Sequence, residues 1–201
     1  MADRYEYTHG RLDEVLSSPI EQLAVWLEDA KQAKVVEPTA MCLSTVSAEG
    51  RPSSRMVLLR GLDECGLTFF TNYESRKGHE LEANSYACLN FWWGPLERQV
   101  RVEGRVSFVS PEESDSYWAD RPAESRRASA ASPQSQVIAS RQELEARVVA
   151  LTGDVLRPTH WGGYRLVPDR FEFWQGGPAR LHDRMAYQLT GDQWVVERLA
   201  P

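Results

Sequence analysis

From residue 40 onward the chain is cut into short β-rich segments separated by turn sequences, and this succession limits the available folds more than any other feature. AMCLSTVS, SSRMVLLR and LTFFTN are divided by AEGRP and GLDECG, and YACLNFWW and LERQVRVEGRVSFV flank Gly94-Pro95. YRLV, RFEFW, RLHDRMAYQL and WVVERL close the chain around Gly176-Gly177-Pro178 and Gly191-Asp192. Seven to eight short antiparallel strands, with helices inserted between groups of them, predict a mainly β, α+β protein: a barrel with peripheral helices. A doubly wound nucleotide fold does not fit, because no G-x-G-x-x-G follows a strand and no Walker-type G-x-x-x-x-G-K occurs. The 201 residues suit one domain, residues 18–201, behind an arm of residues 1–17 that mixes charge and aromatics without a period and packs only when something else covers it.

Helices are announced by caps. Ser18-Pro19-Ile20-Glu21 opens one over 19–34, and Ser110-Pro111-Glu112-Glu113 opens another through Asp120. A short helix is expected over Ser75–Asn84, and a further one over 140–151 with Leu144, Val148 and Leu151 on one stripe. Residues 121–136 are small, polar and Arg-rich, and are expected to form a loop or broken helix.

A net charge of −6 argues against a nucleic-acid surface. No apolar run is long enough for a membrane span and no signal core opens the chain, so the protein is expected to be cytoplasmic. Cys42, Cys65 and Cys88 are widely spaced, as are the four histidines, which leaves neither a disulfide framework nor a metal site.

The cations are concentrated locally. Arg55 and Arg60 share one β segment, where regular alternation sends them to opposite faces. Arg76 and Lys77 stand at a helix start, where the helix dipole disfavours cations and an anion such as phosphate would resolve the misfit. A third cluster runs from Trp174 to Arg184 around a glycine turn. Guanidinium forks match phosphate oxygens and stack on planar rings, which suits a phosphorylated aromatic ligand.

SSRMVLLR at 53–60, FFTNYESRKGHELE at 69–82, LERQVRVEG at 96–104, YWADRP at 117–122, WGGYR at 161–165, EFWQGGPARLHDR at 172–184 and VERLAP at 196–201 stand in an order that resembles the pyridoxamine 5'-phosphate oxidase family. The resemblance implies an FMN-binding split β-barrel, a homodimer with FMN in clefts at the subunit interface, and a C-terminal dimerisation segment at about 160–201. It places FMN contacts on Arg55, Met56, Val57, Leu58, Phe70, Thr71, Arg76, Lys77, Gln99, Gln134, Ser135, Trp174 and Arg184. Substrate phosphate contacts fall on Arg60, Tyr117, Arg121 and Ser125. Tyr117 and Arg121 are i, i+4 and would share a face if their helix continued. Arg180 and His182 are implied as the catalytic pair, positioning the substrate ring and assisting proton loss from its hydroxyl or amine. The implied reaction is oxidation of pyridoxine 5'-phosphate and pyridoxamine 5'-phosphate to pyridoxal 5'-phosphate, with dioxygen as acceptor and hydrogen peroxide as product.

Two departures stand out. Position 60 is Arg where the family usually has Lys, and RRASAASP at 126–133 replaces an apolar residue followed by Gly-Ala-Trp and a basic residue. The alternatives are an FMN oxidase acting on another ring, of the phenazine-pathway type, and a non-catalytic FMN or pyridoxal phosphate binding protein.

Overall fold

The computed structural model describes residues 6–8 and 10–201. Nine strands form one antiparallel sheet: β1 Ala40–Val46, β2 Pro52–Leu58, β3 Gly61–Asp63, β4 Gly66–Asn72, β5 Tyr86–Trp93, β6 Arg98–Phe108, β7 Trp161–Gln175, β8 Asp183–Thr190 and β9 Gln193–Leu199. Their order is β2-β1-β5-β6-β7-β4-β3, with β8 and β9 added beside β7. The sheet curls into a half-barrel because β7 changes partner along its length. Residues 161–166 pair with β4, residues 170–175 pair with β8, and β6 follows residues 164–175 on the other side. The exchange coincides with a register shift at Glu103/Gly104, opposite Pro168 and Arg170. A Cβ at Gly104 would lie 2.1 Å from the Val167 carbonyl oxygen, so only glycine permits this approach.

Two expected strands, YRLV and RFEFW, are therefore one. Pro168, which lies between them, sits at the bulge, where its missing N–H costs no ladder bond. Among the described residues the strands number nine, and β6 and β7, at 11 and 15 residues, are not short.

The helices are α1 Pro19–Gln32, α2 Arg76–Ala83, α3 Pro111–Asp120, α4 Ala123–Ala131 and α5 Arg141–Ala150. Ser18, Ser75, Ser110 and Ser140 cap α1, α2, α3 and α5 through their hydroxyls. The first helix ends two residues before its expected limit, where Lys34 turns left-handed at φ 53° and its N–H bonds the Lys31 carbonyl. The segment expected as a loop or broken helix holds α4: its alanines favour helix, and Pro122 precedes its first turn. On α5, Leu144 and Val148 are only half-buried, as is Leu151 just beyond it.

The core lies inside the curl. Leu23, Trp26, Leu43, Phe69, Leu89, Phe91, Trp93, Phe171, Phe173 and Tyr187 are buried there. Trp26 from α1 meets Phe173 edge to face at 5.2 Å, which seats the helix on the sheet.

The arm departs from expectation by packing on its own chain. Leu12 is buried, its N–H donates to Asp183 Oδ2 at 3.0 Å, and the Leu16 carbonyl accepts from Tyr187 Oη at 2.6 Å. Residues 1–5 and 9, part of the same predicted arm, lie outside the described residues. Among the described residues no helix is long and apolar enough to cross a membrane, and no group of three or more His, Cys, Asp or Glu residues could hold a metal.

Candidate active site

A cleft of about 1030 Å³ opens between β2, the end of β4, the start of α2, and the helices α3 and α4. Fourteen of the expected contacts line it: Arg55, Met56, Val57, Leu58 and Arg60 from β2 and the residues after it; Phe70 and Thr71 from β4; Arg76 and Lys77 from α2; Tyr117, Arg121 and Ser125; and Gln134 and Ser135. Arg55 and Arg60, expected on opposite faces, face the same cleft because β2 ends at Leu58 and alternation stops there.

One cation group surrounds a buried carboxylate. Glu80 accepts from Thr45 Oγ1 at 2.5 Å and Ser53 Oγ at 2.6 Å, and pairs with Arg55 Nη2 at 3.0 Å and Arg76 Nε at 2.8 Å. Burial alone would raise its carboxyl, but the hydrogen bonds from Ser53, Thr45, Arg76 and Arg55 outweigh it and hold the group down at about 2. Lys77 is also buried. Its ammonium donates to Thr71 Oγ1 and Ser75 Oγ at 3.0 Å each and to Gln134 Oε1 at 2.7 Å. Burial, then the charge of Arg55, lowers it to about 8, with Glu80 acting in the opposite direction.

Three cations against one carboxylate leave two positive charges here, which matches the charge of about −2 on a phosphate monoester. The unfavourable placement of Arg76 and Lys77 at the helix start thus has a structural reason. Arg76 pairs with Glu80 one turn further along α2, and the Lys77 ammonium is held by the Thr71, Ser75 and Gln134 oxygens.

The second cation group is Arg60 and Arg121. Burial lowers the Arg121 guanidinium first; the charge of Tyr117 raises it and that of Arg60 lowers it. The helix α3 ends at Asp120, and Arg121 is extended at ψ 144° because it precedes Pro122, so the expected i, i+4 helical face does not form. Arg121 reaches the cleft by another route, with its charge 4.5 Å from the Trp161 ring centre. Tyr117 stacks on Phe70 at 3.9 Å and 11°, which adds a flat aromatic pair to the lining of the same cleft.

Gln99, Trp174, Arg180, His182 and Arg184 do not line this cleft. Gln99, Trp174 and Arg184 are cross-strand neighbours on β6, β7 and β8, where Gln99 faces Trp174 and Trp174 faces Arg184 in register, and Arg180 and His182 lie in the turn between β7 and β8. Arg184 Nε pairs with the buried Glu172 carboxylate at 2.9 Å, and Nη1 donates to the Ala200 carbonyl at 2.9 Å. His182 lies 4.7 Å from the Trp174 ring and 5.4 Å from Tyr7 of the arm. Its Nδ1 accepts from the Gly177 N–H at 3.1 Å, so the neutral ring carries its proton on Nε2. Ala179 and Arg180 are left-handed at φ 52° and 63°, a strained turn of the kind that persists at functional sites.

Sequence reasoning did not single out Glu80, Asn72, Ser129, Ser132 or Trp161, although the last four line the cleft. Glu80 carried a signal: it lies one helical turn from Arg76, where an i, i+4 pair could form.

Comparison with known proteins gives the family. Residues 27–153 match the family model described as pyridoxamine 5'-phosphate oxidase, and residues 161–201 match the pyridoxine 5'-phosphate oxidase C-terminal dimerisation region. A pyridoxine/pyridoxamine 5'-phosphate oxidase of Methylibium petroleiphilum is 54% identical over 98% of this chain and 96% of its own. One from Synechocystis is 50% identical over the same shares. Among solved structures, PhzG from Burkholderia lata, in complex with tetrahydrophenazine-1-carboxylic acid, superposes with a TM-score of 0.90 at 35% identity, covering 94% of this chain and 95% of that one. The chain belongs to the pyridoxamine 5'-phosphate oxidase family of oxidoreductases.

Proposed function

We propose that this protein is an FMN-dependent oxidase that converts pyridoxine 5'-phosphate and pyridoxamine 5'-phosphate to pyridoxal 5'-phosphate. The observation that carries the reading is a single cleft lined by two cation groups and a stacked aromatic pair, which suits one phosphate on a flavin and one on a pyridine substrate. Relatives named for this activity at 50–54% identity support it.

The residues present fit FMN. Arg55, Arg76 and Lys77, offset by Glu80, would hold its phosphate. Met56, Val57, Leu58, Phe70, Thr71, Gln134 and Ser135 line the same cleft and would hold the rest. Bound FMN would supply the two-electron acceptor, with dioxygen taking the electrons on to hydrogen peroxide.

The chain's own groups bind and orient. Arg60, Arg121, Tyr117 and Ser125 would take the substrate phosphate. Gln99, Trp174, Arg180, His182 and Arg184 would complete the site from the other subunit of a homodimer, since in one chain they stand apart from the cleft. With its proton on Nε2, neutral His182 donates rather than accepts, so its role is to hold the substrate oxygen or nitrogen in place. Assistance to proton loss, expected of Arg180 and His182 together, then falls to the positive charge of Arg180.

A second reading has one specific observation in its favour, the 35% identity to PhzG. An oxidase of that type would act on an unphosphorylated tricyclic ring and would have no use for Arg60 and Arg121. Steady-state assays with both B6 phosphates and with a dihydrophenazine substrate separate the two: turnover of the phosphates supports the proposal, and turnover of the tricycle alone overturns it.

A further inference from the structure

Arg121 is more completely built in than a guanidinium at a cleft wall requires. Trp161 and Trp118 lie 4.5 Å and 5.3 Å from its charge. Nη2 donates to Ser129 Oγ at 2.9 Å and, more weakly, to the Ser125 carbonyl at 3.4 Å. Nη1 is buried and has no hydrogen-bond partner. A buried donor left unpaired is costly, so an acceptor entering the cleft gains by meeting it.

Ser129 lies on α4, in the small, polar, Arg-rich segment of residues 121–136. On α4, Ser125, Ala128 and Ser129, with Ser132 just after it, line the cleft at i, i+3, i+4 and i+7. The intervening Arg126 pairs with Asp154 at 3.0 Å, and Arg127 donates to the Gly153 carbonyl at 3.4 Å. These two contacts tie α4 to the link after α5 and hold the serine row against the cleft.

We propose that Ser129 is a positioning residue for the substrate phosphate: it fixes the rotation of the Arg121 guanidinium so that Nη1 is the edge left to meet a phosphate oxygen. Stacking on Trp161 restrains the tilt of a planar cation but leaves it free to turn within its plane. A hydrogen bond at one nitrogen removes that freedom. Arg60 makes the restraint more valuable, because its like charge pushes Arg121 away while the cleft is without an anion. The inference rests on the B6-phosphate reading of the cleft.

The test compares the FMN-loaded wild type with Ser129→Ala and Ser129→Thr. Loss of the hydroxyl is expected to raise KM for pyridoxine 5'-phosphate about tenfold, the order for one hydrogen bond to a charged group. It should leave kcat and FMN content unchanged, and the threonine variant should restore KM. In an Arg121→Lys background, Ser129→Ala should add no further loss. An unchanged KM in Ser129→Ala, or losses that simply add, would overturn the proposal. Calorimetric titration of the same proteins with pyridoxal 5'-phosphate and with unphosphorylated pyridoxal reads the pair without turnover. Weaker binding of the phosphate alone in Ser129→Ala supports the pairing even if the wild type oxidises neither B6 phosphate, a result that would overturn only the functional reading. Equal binding by wild type and Ser129→Ala, or equal weakening for both ligands, overturns the pairing itself.

Discussion

Lys77 Nζ lies 2.7 Å from Gln134 Oε1, a contact that joins the first turn of α2 to a residue 57 positions later in the chain. The bond closes one wall of the cleft and holds a buried ammonium whose proton is lost at about 8, below its ordinary 10.5. An anion beside Lys77 favours the charged form and raises that value. FMN binding at pH 8 to 9 is therefore expected to take up a proton, and FMN affinity to be flat below about pH 8 and to fall above it. Flavin fluorescence quenching titrations at pH 7 and pH 9 measure this. Lys77→Met should weaken FMN by roughly 10- to 100-fold and remove the pH dependence. Stability follows the same linkage. The folded value lies below the unfolded one, so flavin-free protein should gain stability as pH rises from about 8 toward 10.5.

Glu80 has the opposite sign. Its folded-state value of about 2 lies below the ordinary 4.5, so it stabilises the fold above pH 4.5, and that contribution disappears as pH falls toward 2. Glu80→Ala leaves Arg55 without its carboxylate and should cost about 3 kcal/mol in urea unfolding. Glu80→Gln keeps acceptors for Ser53 and Thr45 and should cost less. Equal unfolding midpoints for wild type and Glu80→Ala would show that the carboxylate does not organise the phosphate cations.

Gly78 in α2 fixes how closely this helix approaches the chain before it. A Cβ there would stand 1.8 Å from the Tyr73 carbonyl oxygen, a backbone atom that cannot swing aside. Gly78→Ala is expected to lower the melting temperature and weaken FMN together, because α2 must shift and take Lys77 with it. An alanine variant that binds FMN like the wild type would contradict this.

Most of the strands and the serine caps of α1 and α3 were readable because each depends on local chemistry: alternation, turn residues, and a hydroxyl at the helix start; the turn sequence GLDECG also holds the short strand β3. The single strand β7 was not readable, since Pro168 is harmless only at a bulge that tertiary pairing creates. The sequence left loop and broken helix open over the segment that holds α4, because alanine carries no pattern, only propensity. The common facing of Arg55 and Arg60 depends on where β2 stops, which alternation does not state. Glu80 and Ser129 went unnoticed because their importance lies in the side chains they hold, and those partners meet only in the folded cleft.

The separation between the cleft and the Gln99, Trp174, Arg180, His182 and Arg184 cluster leads to a test by mixed dimers. If each site combines one subunit's cleft with the other's cluster, mixing Lys77→Met with His182→Ala yields hybrids with one intact site and one doubly altered site. Co-expressed variants should recover about a quarter of wild-type activity, from half the dimers with one site each. No recovery above the separate variants would place both groups of residues in sites made by a single chain.

The most direct measurement is anaerobic mixing of the FMN-loaded protein with pyridoxine 5'-phosphate or pyridoxamine 5'-phosphate, following the visible flavin band. Either phosphate is expected to bleach the band, and admitting air to restore it with formation of pyridoxal 5'-phosphate and hydrogen peroxide. A band unchanged by both phosphates, or bleached only by an unphosphorylated tricyclic substrate, would contradict it.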